Sequence, residues 1–205
     1  MQQINYIPHA EIDQQKWNRC IEEAANGLIY AYAWYLDAMC DDWDALVLND
    51  YEAVMPLPWN SKYGVHYLYQ PYFCASLGVF SSTSVTAVTV EAFLKKIPRR
   101  YKYIDIYLNH QNLFSIADFP MTERVNYILP LNRPYEEIAN DYRTNLKRNI
   151  KKAEQGGLLV KEDIELNEIL TLAGETMQRV SAISDEQLNR FRNVYEAARK
   201  NQQAE

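Results

Sequence analysis

The chain has 205 residues, a formal net charge of -6, and hydrophobic and charged fractions typical of a globular protein, which exclude wholesale disorder. No apolar run reaches the roughly 18 to 20 residues that span a bilayer, and the start, MQQINYIPHAEID, lacks a basic segment followed by an apolar core. The expectation is a cytoplasmic protein, and an acidic total argues against general binding to phosphate backbones.

The charge is unevenly placed. Residues 1 to 98 carry 5 Lys/Arg against 11 Asp/Glu, whereas residues 99 to 205 carry 16 of each. Cys20, Cys40 and Cys74 are odd in number and widely spaced, which speaks against a disulfide framework and against a paired-cysteine metal site.

In chain order, Ile4 to Pro8 reads as a short strand. Asp13 then caps a helix with Trp17, Cys20, Ile21 and Ala24 on one face, and Asn26-Gly27 ends it. Ala31 to Cys40 places Trp34, Tyr35, Ala38 and Met39 at helical spacing. Ala45 to Asn49 is an apolar strand. Tyr51 to Phe73 reads as a hairpin. Tyr51, Ala53, Met55 and Leu57 share a buried face in its first arm, and Tyr63, Val65, Tyr67, Tyr69 and Phe73 share one in its second, with Trp59 to Lys62 as the loop. Pro56, Pro58 and Pro71 belong near strand ends or on an edge.

Ala92, Phe93 and Ile97 then suggest a helix that stops before Pro98. Lys102 to Leu108 alternates as a strand, with Asp105 the one carboxylate inside it, read either as a solvated-face residue or as a general base. Asn109 to Thr122, holding His110 and Asp118, reads as a boundary between a lobe at 1–122 and a second at 123–205. Arg124 to Leu131 alternates as another strand. Pro134 opens a helix whose buried stripe is Ile138, Tyr142, Leu146, Ile150 and Ala153, stopped by Gly156-Gly157. Leu158 to Lys161 reads as a strand. A helix with Ile169, Leu172, Ala173, Met177 and Val180 on one face follows, and then one opened by the capping box Ser184 to Gln187, with Leu188, Phe191, Tyr195 and Ala198 inward.

Phosphate loops, dinucleotide fingerprints, zinc-protease helices and nucleophile elbows are all missing from the sequence. His9, His66 and His110 are scattered, and each reads as structural or solvent-exposed. The informative segment is Arg143 to Glu154. Arg143, Lys147 and Lys151 recur every four residues, with Arg148 and Lys152 beside them, so they form a cationic ridge. It is either a solvated face or a contact for phosphates on a donor, a nucleotide-linked acceptor or tRNA.

The run RTNLKRNIKKAEQGGLLV resembles the segment by which FemAB-type aminoacyl and acyl transferases enter their second lobe. The upstream order of a Trp17 helix, an aromatic helix, a strand, the MPLPW hairpin, YQPYF and LGVFS resembles the first lobe of a GNAT-like member of that group.

The resemblance implies an α/β (α+β) fold: a GNAT-like, mixed, mainly antiparallel sheet flanked by helices, followed by a partial second lobe rich in helix. The implied activity is transfer of an acyl or aminoacyl group from a thioester or charged tRNA to an amine, with acyl-CoA or aminoacyl-tRNA as donor substrate. A small molecule or cell-wall precursor is the implied acceptor. No metal and no covalently bound cofactor are implied. On the acceptor side the candidate residues are Tyr69, Gln70 and Tyr72. Arg143, Lys147 and Arg148 are the candidates for the anion contact, the Arg143 to Lys152 ridge being the place for tRNA, and Asp105 is the candidate base. Tyr69 also reads as plain core. The glycine-rich pyrophosphate loop of acyl-CoA transferases is missing, and the strands expected after the last helix do not follow, so the expectation is only part of a full enzyme. The rival expectation is a non-catalytic GNAT-shaped binding or assembly module, docking through the apolar faces of the last two helices, in a homodimer for instance.

Overall fold

The computed structural model describes residues 3–113, 120–161, 163–177 and 183–204. The chain divides into two compact units, one made of Met1–Pro120 with Met177–Glu205 and the other of Met121–Thr176.

The first unit is a mixed, mainly antiparallel open sheet with helices on both faces. Its strands are β1 (Ile4–Ile7), β2 (Asp42–Leu48), β3 (Ala53–Lys62), β4 (Val65–Tyr69), β5 (Phe80–Ser81) and β6 (Tyr101–Asp105). The order is β1-β2-β3-β4-β6, and β5 also pairs with β3. All neighbours are antiparallel except β4 and β6, which run parallel across the crossover through α3 (Ala87–Lys96). Pro56 and Pro58 lie on β3 between the residues that pair with β5 and those that pair with β4, where β3 has a strand neighbour on one side only. That is where a missing N–H costs least.

Alternation along β2 and β3 feeds two cores. Trp43, Ala45, Val47 and Val54 pack with Trp17, Cys20 and Ile21 of α1 (Gln14–Glu23) and with Tyr35, Leu36 and Met39 of α2 (Ala33–Met39). On the other face Leu46, Leu48, Met55, Leu57 and Leu68 pack with Val90, Phe93 and Leu94 of α3. The helix ends follow local chemistry: the Asp13 carboxylate accepts from the N–H groups of Gln15 and Lys16, and the Thr86 hydroxyl from Thr89.

The hairpin differs from the sequence reading. Trp59 to Lys62 continue β3 instead of forming the loop, and the turn is Tyr63-Gly64, both at positive φ. In the second arm the buried residue is Leu68, on the phase opposite to the tyrosines; Tyr63 is 94% exposed. A tyrosine tolerates water at its hydroxyl end and Leu68 does not, so the apolar side chain sets the phase. Strand β2 also starts earlier than the apolar run, at Asp42, and so takes in Trp43 and Asp44.

The last helix, α7 (Asp185–Lys200), belongs to the first unit. Its capping box is present, Ser184 and Gln187 bonding reciprocally. Val194 and Ala198 are buried, Phe191 meets Phe73 edge-on at 5.0 Å, and Arg190 bonds the carbonyl of Met39, Asp41 and Glu186. The apolar face of α7 is therefore used inside the unit and is not the free docking surface of the rival expectation.

The second unit holds α4 (Tyr135–Asn140), α5 (Thr144–Gln155) and α6, which spans Leu166–Met177. The expected single helix after Pro134 is two helices, broken at Asp141 to Arg143, where the Lys147 ammonium donates to the Asn140 carbonyl at 2.8 Å. The apolar stripe stays in phase across the break, so periodicity alone does not reveal it. Neither 124–131 nor 158–161 is a strand, because an extended segment needs a pairing neighbour and none is present among the described residues. On α6 the buried residues are Leu170 and Gly174; of the expected stripe Ala173 and Met177 are half-buried, while Ile169 and Leu172 are exposed, so the covered face is rotated from the expected one. Asp118 and Val180 lie outside the described residues.

Candidate functional site

Tyr69, Gln70 and Asp105 are brought together where β4 and β6 end. Tyr69 stands opposite Asp105 in the parallel register. Tyr69 is half-buried, its hydroxyl accepts the Asp41 N–H at 3.5 Å, and burial pushes the phenol well up. After Tyr69 the chain leaves the sheet for residues 70–76 and returns at Leu77, which bridges to Leu108 in parallel.

Gln70 closes this excursion. Its amide N–H donates to the Cys74 carbonyl at 2.7 Å, and its amide oxygen accepts the Tyr107 N–H at 2.9 Å. The side chain thus does the work of a strand backbone at the point where β4 is interrupted. The far side is held by the Tyr35 hydroxyl, which donates to the Phe73 carbonyl at 2.7 Å. Tyr72 projects from the excursion, exposed, and Asp105 is exposed at the end of β6. The arrangement offers a hydrogen-bonded, polar-edged step carrying a phenol and a carboxylate.

Sequence reading missed a second constellation, on the α3 face of the sheet. The Asp44 carboxylate, only 8% exposed, accepts the His9 N–H at 2.9 Å on one oxygen. On the other it accepts the Tyr6 hydroxyl at 2.7 Å, the Tyr101 hydroxyl at 2.9 Å and the Arg100 guanidinium at 2.6 Å. Arg100 also lies over the rings of Tyr6, Trp59 and Tyr101, 4.7 to 5.3 Å from their centres. Burial, followed by hydrogen bonding to Asp44, raises the Tyr6 phenol, and burial raises that of Tyr101. Both phenols stay protonated as donors. The available signal is Asp44 in phase with Leu46 and Leu48 on β2, a carboxylate on a core-facing phase. Beside this cluster, Trp59 Nε1 and His66 Nδ1 are buried with no hydrogen-bond partner among the described residues.

The three cysteines are buried and unpaired. Burial pushes the Cys20 thiol from the ordinary 9.0 to about 11 and that of Cys74 to about 12, and lifts Cys40 well above the ordinary value. A thiol reagent at pH 8 is expected to leave all three untouched in the folded protein and to label all three in denaturant. A rapid stoichiometric reaction with the native chain would contradict this burial. The sign of the linkage follows: between pH 9.0 and about 12 the unfolded chain releases protons that the folded chain keeps, so stability falls as pH rises through that window.

In the second unit Arg143 is the N-cap residue of α5, and Arg143, Lys147 and Arg148 are exposed. Lys147 reaches back to α4 as described, and Arg148 donates to Asn145 Oδ1 at 2.8 Å. Asn149, Lys152, Ala153, Gly156 and Leu158 line a shallow open groove of about 340 Å³. No cluster of His, Cys, Asp or Glu suited to a metal ion occurs among the described residues. Comparison of the chain with protein-family models, curated proteins and solved structures finds no match.

Proposed function

We propose that this chain is a GNAT-like N-acyltransferase of the FemAB type, moving an acyl or aminoacyl group from a thioester or a charged tRNA onto an amine. The observation that supports this reading is the first unit itself. Two helices, a strand and a hairpin follow in the order that carries the resemblance, within a mixed, mainly antiparallel sheet.

Acyl transfer to an amine needs the two reactants held in line, donors for the oxygen that becomes negative, and a base for the amine proton. In this reading Tyr69 and Tyr72 face the acceptor, Asp105 takes the proton, and Gln70, whose amide is bonded at both ends, shapes the step without touching the acceptor. Arg143, Lys147 and Arg148 contact donor phosphates.

The test is a titration of the chain with an acyl-CoA and with an aminoacyl-tRNA, repeated for Lys147→Glu with Arg148→Glu. Charge-assisted contacts to phosphate are each worth about 1.5–3 kcal/mol, so the double variant is expected to bind the donor at least about tenfold more weakly. Unchanged donor affinity would remove the assignment.

A second reading, the non-catalytic binding or assembly module, is favoured by one observation. Val125, Tyr127, Leu131, Leu159 and Val160 of the second unit are all exposed. It predicts partner binding that the same double variant leaves intact.

A further inference from the structure

The geometry points to an anionic lipid surface as the partner of α5 and the residues that follow it. Helix α5 has an apolar stripe and a cationic ridge, yet none of its residues is buried. Leu146 on the stripe is 44% exposed, and Ile150 and Ala153 are only half-covered. The Gly156-Gly157 stop, with Gly157 at φ +73, then turns the chain into Leu158, Leu159 and Val160, which are 74 to 93% exposed. Three large apolar side chains in succession, uncovered at the end of a basic helix, are costly in water and suited to the boundary between headgroups and acyl chains.

Charge selects the partner. From Arg143 to Lys152 there are five cations and no acid, and Lys161 follows the apolar tip, in a chain whose net charge is -6. None of these five cations is in an ion pair among the described residues. The groove beside Lys152 and Leu158 adds a recess with an apolar wall. At 12 residues α5 is about 18 Å long, too short to span a bilayer, and no helix among the described residues is long and apolar enough to cross a membrane. The helix therefore lies on the surface, with Lys151 and Lys152 at its C-terminal end reaching the lipid phosphates while Leu158 to Val160 enter beneath them. This holds for an acyltransferase and for a non-catalytic chain alike, so it does not rest on the activity proposed above.

The experiment is flotation of the whole chain with vesicles of phosphatidylcholine alone and of phosphatidylcholine mixed with phosphatidylglycerol. The chain is expected to float with the mixed vesicles only, and less as salt rises. Lys151→Gln with Lys152→Gln is expected to lower partitioning about 25-fold, at about 1 kcal/mol per cation. Leu159→Ser with Val160→Ser, at exposed positions where folding is unaffected, is expected to lower it about tenfold or more. No flotation with anionic vesicles overturns the proposal, and so does a serine variant that floats as well as the parent. If the chain instead binds RNA but not vesicles, and loses that binding with the two glutamines, the ridge serves a polyanion and the proposal is equally overturned.

Discussion

Replacing Asp44 with alanine is expected to lower the stability of the first unit by about 2–4 kcal/mol. The carboxylate is the shared acceptor for four donors: Tyr6 of β1, the His9 N–H of the 3-10 turn after it, Arg100 of the α3–β6 connection and Tyr101 at the start of β6. Its removal leaves the phenols of Tyr6 and Tyr101 and a guanidinium pointing at one another in a buried place. The figure sits below the range for a fully buried pair because the Arg100 side chain is 43% exposed and water reaches it. Asp44→Asn keeps an acceptor but not the charge, so its loss is expected to be smaller. Urea unfolding measures both. The denaturation midpoint moves while the slope stays fixed, since the surface exposed on unfolding hardly changes. A loss below about 1 kcal/mol would mean that the aromatic cage around Arg100 holds this corner without its carboxylate.

Gly78→Ala is expected to cost on the order of 4 kcal/mol or to prevent folding of the first unit. Gly78 sits at φ +109, and a Cβ there would lie 2.2 Å from Oδ1 of Asn112. Asn112 cannot simply turn away. Its Oδ1 accepts the Val79 N–H at 2.6 Å, and its amide donates to the Val79 carbonyl at 3.0 Å and to Asn109 at 3.2 Å. Asn109 in turn donates to the Leu77 carbonyl at 3.1 Å, and Asn26 to that of Val79 at 2.8 Å. These three buried asparagines take the place of a strand neighbour for Val79 and add to the backbone bridge of Leu77, so a methyl group at Gly78 breaks several bonds at once. Gly64→Ala is the control. Gly64 has φ +77 but nothing within 4 Å of the added carbon, so only the backbone cost of about 1 kcal/mol is expected. Equal losses at the two glycines, read by thermal or urea unfolding, would show that the asparagine network contributes little.

What the sequence made legible is local. The Asp13 cap, the Ser184 to Gln187 box and the Gly156-Gly157 stop each depend on residues within one helical turn, and each stands where it was expected. The alternation of Ala53, Met55 and Leu57 also sufficed to place one face of β3. What was hidden depends on distant partners. Asp44 meets Arg100 and Tyr101 only because β2 and the start of β6 with the residue before it converge, and their separation of 56 and 57 residues leaves no local pattern. Arg190 reaches Met39 and Asp41 across 151 and 149 residues, which is why the sequence leaves open whether the apolar stripe of α7 packs on the first lobe or waits for a partner. The segments 124–131 and 158–161 show the opposite failure. Their apolar alternation is strand-like, but alternation describes one chain and a strand needs two. At the candidate site Tyr69, Gln70 and Tyr72 were singled out as a group facing the acceptor. The structure gives Gln70 a backbone-like task that no pattern of residue types announces.

The most direct measurement is a calorimetric titration of the unaltered chain with an acyl-CoA thioester and, separately, with an aminoacyl-tRNA. Saturable binding of one of these donors, weakened at least about tenfold when Lys147 and Arg148 are both changed to glutamate, is the result that the acyltransferase account predicts. Absence of binding to either donor, with the first unit intact by unfolding, would contradict it and leave the non-catalytic module as the reading of this fold.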